Sequence, residues 1–220
     1  MEDQKAIKER LPRALSPQDL FRMNIKTIGW GGEWKQVLGD PARTGVWIMW
    51  GGSGSGKTSF ALQLAKELTN YGKVAYNSLE QGASLSMKEA LMRHKFGEVK
   101  RGHFLLISER LKDLSKRLER RQSPDFIIID SLQYTKAKYT DYQKFKEAHP
   151  NKLIIFVSHA EGAKARGPVA QSIVYDAEMK IFVEGYRAIS KGRFISENGA
   201  FYTVWEEGAT KYWLSNDNNE

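Results

Sequence analysis

The sequence predicts an α/β domain with a mainly parallel central sheet, helices on both faces and antiparallel strands added at the C-terminal end. Two observations carry this expectation. From Val46 to Val157 short apolar runs alternate with stretches of helical period, as strands joined by crossover helices do. Beyond Lys180 the apolar runs follow one another across turns, which suits antiparallel pairing. At 220 residues the chain is long enough for one such domain with a sizeable core, and short for two.

Taken in order, residues 1–15 are polar and unpatterned and are expected to be flexible, as are 216–220, leaving 16–215 as the folded core. Ser16 and Pro17 supply a helix cap and a proline at the first helical position, so a short helix should follow. A Gly-rich stretch with two tryptophans (29–34) precedes the run Val46–Trp50, which stops at Gly51-Gly52 like a buried strand entering a tight turn. Ala61, Leu64, Ala65 and Leu68 then recur at helical spacing until Asn70 and Gly72. A strand is expected at Val74–Leu79, a helix near Ser86–Phe96 and a strand at His103–Ile107. A helix showing Leu111, Leu114 and Leu118 on one face follows, then a strand at Phe126–Ile129, a helix around Tyr142–His149 and a strand at Leu153–Val157. Lys180–Val183, Phe201–Trp205 and Tyr212–Leu214 are expected to be edge strands with no helix among them.

Composition narrows the function classes. Lys and Arg number 34 against 26 Asp and Glu, a formal net charge of +8, which favours a polyanionic partner. The segment Lys88–Arg121 alone holds 11 basic and 5 acidic residues. With no cysteine, disulfides, cysteine-ligated zinc and thiol chemistry are excluded. No apolar run approaches the roughly 18 residues a membrane span needs. The charged N-terminus lacks a signal-peptide core, so a cytoplasmic location is expected.

The strongest motif is Gly51-Gly52-Ser53-Gly54-Ser55-Gly56-Lys57-Thr58, which matches the phosphate-binding P-loop and falls between a predicted strand and a predicted helix. Its glycines let backbone N–H groups converge on phosphate oxygens, and the helix that opens at Lys57, Thr58 and Ser59 adds its positive end. Lys57 is suited to the β and γ phosphates of ATP, and the Thr58 hydroxyl to Mg²⁺. Asp130 ends the apolar strand that begins at Phe126, where a carboxylate would hold that magnesium. Glu80 ends the strand after the P-loop helix and His159 ends the fourth strand. Ligands of such sheets bind at the carboxyl ends of the strands, so Glu80 is read as the group that polarises the attacking water and His159 as a γ-phosphate sensor. A surface Glu before the Gln81-Gly82 turn and a structural His are the plainer alternatives.

With these pieces in order, the sequence resembles the RecA superfamily, in particular its RadA and DnaB branch, from about Val46 to Glu206. The resemblance is carried by SLEQGASLSMKEALMRHKFG with Glu80 and Arg93, by SPDFIIIDSLQY with Asp130, Ser131 and Gln133, by RGPVAQSIVYDAEMKIFVEG and by KGRF. It implies a RecA-like P-loop fold, Arg93 beside the nucleotide, and Lys191 and Arg193 as fingers reaching the γ-phosphate of a neighbouring subunit. It therefore also implies a homo-oligomer, ring or filament. In this family the loops after the second and fourth motif strands face DNA; here they hold Lys136, Lys138 and Tyr139, then Lys164 and Arg166. Basic side chains neutralise phosphates and a tyrosine ring offers a stacking face, so single-stranded DNA is the expected partner. The chain departs from the family in lacking a Gly-Gly-Gly motif before the P-loop strand, and KGRF continues as Ile-Ser-Glu-Asn-Gly. The function expected is a DNA-dependent ATPase of recombination or repair. A minimal DnaB-like helicase motor, an ATP-gated DNA-binding assembly factor and, most remotely, a small-molecule kinase are the alternatives.

Overall fold

Helix α1 (Pro17–Arg22) begins at the predicted cap in a computed structural model that describes residues 13–194 and 200–217. The Ser16 hydroxyl accepts from the Asp19 N–H at 3.2 Å and the Asp19 carboxylate accepts from the Ser16 N–H at 2.9 Å, a reciprocal capping box. None of its residues is buried. The ends expected to be flexible lie largely outside the described residues.

Helix α2 (Gly32–Leu38) was not expected, because its entry through Gly31 and Gly32 hides the helix signal. Packing holds it in place of propensity: Val37 and Leu38 are buried, the Trp34 ring stacks on Tyr202 at 4.5 Å, and the Trp30 indole donates to the Gly39 carbonyl at 2.6 Å.

The body alternates as predicted: β1 (Gly45–Gly51), α3 (Lys57–Leu68), β2 (Val74–Ser78), α4 (Leu85–Arg93), a 3-10 turn at Phe96–Glu98, β3 (Phe104–Ile107), α5 (Leu111–Leu118) and β4 (Phe126–Asp130). There follow α6 (Leu132–Thr135), α7 (Tyr139–Ala148), β5 (Leu153–Glu161), β6 (Lys164–Ala165), α8 (Pro168–Asp176), β7 (Met179–Glu184), β8 (Arg187–Gly192), β9 (Phe201–Thr203) and α9 (Glu206–Asp217). The sheet order is β3-β2-β4-β5-β1-β7-β8-β9. The pairs from β3 to β7 are parallel, β8 and β9 add antiparallel, and β6 folds back on β5.

Strand alternation divides the core into two layers. Trp47, Met49, Phe126, Ile128, Leu153 and Ile155 pack with Phe60, Leu64 and Leu68 of α3 on one face. Ile48, Ile127, Ile129, Ile154 and Phe156 pack with Leu114, Phe145 and Ile173 of α5, α7 and α8 on the other. Burial of each such side chain contributes about 1.5–3 kcal/mol, so the central strands hold the site's edge rigidly.

Three expectations are corrected. Lys180–Val183 is not an antiparallel edge strand but part of β7, which runs parallel to β1 and is covered on its other side by β8. Tyr212–Leu214 is not a strand but lies inside α9. Trp205, Ala209 and Trp213 recur at four-residue spacing, Ala209 is buried, and the Trp213 indole donates to the Gly185 carbonyl at 3.2 Å, so a helix seats this face on the β7–β8 turn. The loop expected after the fourth strand, around Lys164 and Arg166, is instead a continuation of β5, a short return strand and the first turn of α8, where Pro168 takes the first helical position.

Candidate functional site

The P-loop runs from Gly51, the last residue of β1, to Lys57, the first of α3. A methyl group at Gly51 would lie 2.1 Å from the Val183 carbonyl oxygen, so only glycine lets the loop leave the sheet there. Gly56 has φ +98°, a conformation side chains avoid, and a methyl group there would press on the Tyr186 ring. The Tyr186 N–H donates to the Ser55 carbonyl at 3.1 Å, and the Tyr186 ring meets Trp205 edge-on at 5.0 Å. The β7–β8 turn and the start of α9 thus buttress the loop from outside. A cleft of about 250 Å³ opens between Gly52–Ser55 and Phe182–Tyr186. A larger one, about 780 Å³, lies beside the far end of α3 and contains none of the motif residues.

The Lys57 ammonium donates to the Gly52 carbonyl. Burial pushes its pKa down, against the pull of Asp130 and Glu80. Asp130 is 5% exposed and accepts from the Tyr76 hydroxyl at 2.5 Å. Burial raises its carboxyl pKa and Glu80 adds to the rise, whereas the Tyr76 hydrogen bond and Lys57 oppose it. The peptide after Asp130 is cis.

Adjacent strands bring the carboxylates together. Asp130 lies level with Ser78 and Val157, and Gly51 with His159. The Asp130 carbonyl accepts from the Leu79 N–H at 2.7 Å and the Glu80 N–H at 3.3 Å, fixing where Glu80 leaves β2. One Glu80 oxygen, Oε2, accepts from the Ser131 hydroxyl at 3.2 Å and lies 3.1 Å from His159 Nε2. No hydrogen bond to Oε1 is found among the described residues, so this oxygen is left to accept from water. Gln133 joins the parts: its amide donates to Ser158 Oγ at 2.8 Å and to the Arg166 carbonyl at 3.1 Å, and its carbonyl accepts from the His159 N–H at 3.2 Å.

Of the other sequence candidates, Arg166 touches this cluster through its backbone. Arg93 is exposed at the end of α4. Lys191 pairs with Lys180 across β8 and β7, and Arg193 donates its N–H to the Glu178 carbonyl. Both therefore lie toward the amino end of the parallel strands, away from their own P-loop. Lys136, Lys138 and Tyr139 are exposed between α6 and the first turn of α7. Lys164 sits on β6 and Arg166 just beyond it, both exposed, with the Arg166 N–H donating to the His159 carbonyl at 2.9 Å. Tyr76, Ser131, Gln133 and Tyr186 were not among the candidate site residues. The Ser-Leu-Gln after Asp130 signalled two of them; Tyr76 reads as an ordinary strand aromatic.

The donor set fits magnesium. No group of three or more His, Cys, Asp or Glu able to hold a metal occurs among the described residues. A single buried carboxylate, Asp130, with Thr58 in the first turn of the P-loop helix, suits an ion that completes its shell from phosphates and water.

No family profile matches the chain. Over 102 residues, 46% of this chain, it is 32% identical to the DNA repair protein RadA of Streptococcus pneumoniae, and equally to that of Streptococcus pyogenes serotype M1. The match spans less than a quarter of either relative, 23% and 22%. In fold it resembles the flagellar accessory protein FlaH of Methanocaldococcus jannaschii, with a TM-score of 0.57 at 18% identity, covering 80% of this chain and 92% of that one. It likewise resembles the KaiC-like protein PH0186 of Pyrococcus horikoshii OT3, with a TM-score of 0.56 at 17% identity, covering 81% and 93%. No helix among the described residues is long and apolar enough to cross a membrane. The chain thus carries a P-loop on a parallel sheet, is similar in sequence to RadA over 46% of its length, and has the RecA-like P-loop ATPase fold it shares with FlaH and the KaiC-like protein.

Proposed function

We propose that the chain is a magnesium-dependent, DNA-stimulated ATPase of the RecA/RadA type, acting in DNA recombination or repair and hydrolysing ATP between subunits. The observation that carries this reading is that Glu80, Asp130 and His159 come from the adjacent strands β2, β4 and β5 beside the P-loop strand β1, with Glu80 Oε2 3.1 Å from His159 Nε2. The loop amides and the Lys57 ammonium bind the phosphates. Thr58 and Asp130 would hold magnesium, which would neutralise phosphate charge when bound. The free oxygen of Glu80 orients the attacking water and takes its proton, while Ser131 and His159 fix the other oxygen.

The role in DNA repair is supported by the relatives' being the DNA repair protein RadA and by the +8 charge. Lys136, Lys138, Tyr139, Lys164 and Arg166 are the proposed contacts with single-stranded DNA, and Gln133 ties that hairpin to the strand end bearing His159. Self-association is supported by α1, whose Leu20 and Phe21 are 49% and 85% exposed, unusual for a surface with no partner. Lys191 and Arg193, turned away from their own P-loop, are the proposed fingers toward a neighbour's γ-phosphate.

Steady-state ATP turnover with and without single-stranded DNA tests the reading. Turnover that rises with DNA and is lost in Lys57→Ala is expected. Turnover indifferent to DNA and RNA would remove the DNA role, and turnover surviving Lys57→Ala would remove the ATP site itself.

A further inference from the structure

Much of the chain's positive charge lies outside the residues proposed for ATP and DNA. Helices α5 and α7 run side by side on one face of the sheet, and a groove of about 690 Å³ opens between them. Arg110, Lys112 and Lys116 line it from the α5 side, Lys144 from α7, and Lys136 closes the end where α6 leads into α7. The acids Glu119 and Asp141 also line it, so cations outnumber carboxylates by five to two.

Much of this charge is unspent within the fold. Asp141 accepts from the Lys138 N–H at 2.8 Å as the cap of α7, and Lys116 reaches Asp113 at 3.5 Å on its own helix. The head groups of Arg110, Lys112, Lys136 and Lys144 make no ion pair or hydrogen bond among the described residues, and all four residues are exposed. No side chain caps the α5 N-terminus, whose positive end opens at Arg110. Leu111, Ala137 and the buried Phe145 supply apolar lining below these charges. A cation-rimmed, apolar-floored groove suits a strand that carries phosphates outside and exposes bases inside.

We propose that the groove between α5 and α7 binds a single nucleic-acid strand, extending the track that begins at Lys136 and Lys138. This rests on the proposed DNA binding and adds a path that leaves the P-loop side of the sheet along its helical face. The rims grip phosphates, so the contribution is insensitive to base sequence and strongly dependent on salt.

The test is fluorescence anisotropy of a long labelled oligothymidylate with the full chain and ATP over a series of KCl concentrations. Each phosphate contact with a single strand adds about 0.7 to the slope of log affinity against log salt. The triple variant Lys112→Ser/Lys116→Ser/Lys144→Ser should show a slope shallower by about 2, with lower affinity at low salt and an unchanged melting midpoint. The matching Lys→Arg triple should restore both. Wild-type affinity and slope in the folded Ser variant overturn the groove and leave the DNA reading standing. No binding by the unaltered chain overturns both. Inorganic tripolyphosphate competing as well as the oligonucleotide would mark a small-anion site and overturn the strand assignment. Should the Ser triple not fold, Lys144→Glu alone is read by the same slope.

Discussion

At Asp130 burial and charge pull against each other. The carboxylate is nearly enclosed, and burial and Glu80 raise its pKa above the ordinary range while the Tyr76 hydroxyl and Lys57 hold it back. For an acid raised in the folded state, the fold binds the proton more tightly than the unfolded chain does. Its stabilising contribution is therefore complete below the unfolded pKa of about 3.9 and is lost as pH rises through the folded pKa. Asparagine does not ionise. Without ligand, Asp130→Asn should melt at or above the wild-type temperature at neutral pH, the gap narrowing as pH falls, and should gain no stabilisation from magnesium with ATP. A ligand-free variant melting several degrees lower would contradict this account. Glu80→Gln tests the neighbouring carboxylate differently: its loss as a base should lower turnover by about 10²–10⁴-fold while leaving nucleotide affinity near wild type. Equal losses in affinity and turnover would make Glu80 a binding group instead.

Between elements, the coupling runs through one amide. Gln133 holds β5 at Ser158 and His159 and the β6 return at Arg166, so it links the strand end beside Glu80 to the hairpin proposed to meet DNA. Gln133→Ala should retain basal turnover within a few-fold and lose most of the stimulation by single-stranded DNA. Stimulation at the wild-type ratio would show the hairpin to be coupled by another route. How legible these parts are in the sequence differs for physical reasons. The P-loop, the strand ending in Asp130 and the alternation of strands and helices are local patterns, and the central sheet follows them closely. Helix α2 starts at glycines and is held by Trp34 against Tyr202, more than 160 positions away, so no local pattern reveals it. Tyr212–Leu214, inside α9, predicts a strand because the run is too short for its period to decide. What decides it is the packing of Trp205, Ala209 and Trp213 against the β7–β8 turn. The contact of Tyr186 with Gly56 is likewise tertiary, and it brings α9 to the back of the P-loop.

For the whole molecule, the arrangement of charges bears on assembly. Lys191 and Arg193 lie toward the amino end of the parallel strands and the P-loop at the carboxyl end, so one subunit cannot present both to the same phosphate. If Arg193 serves a neighbour, an active interface needs an intact P-loop from one subunit and an intact finger from the next. Lys57→Ala and Arg193→Ala should each be nearly inactive alone. In an equimolar random mixture, about one interface in four joins the intact P-loop of the Arg193→Ala chain to the intact finger of the Lys57→Ala chain in head-to-tail contact. The mixture should therefore recover about a quarter of wild-type turnover per subunit, measured after the two proteins are exchanged in ATP. Replacing Phe21 by Asp charges the exposed face of α1 and, if that face joins subunits, should lower both the sedimenting mass and this recovery together. A mixture no more active than its parents, at a sedimenting mass equal to wild type, would show that the subunits assemble without sharing their sites.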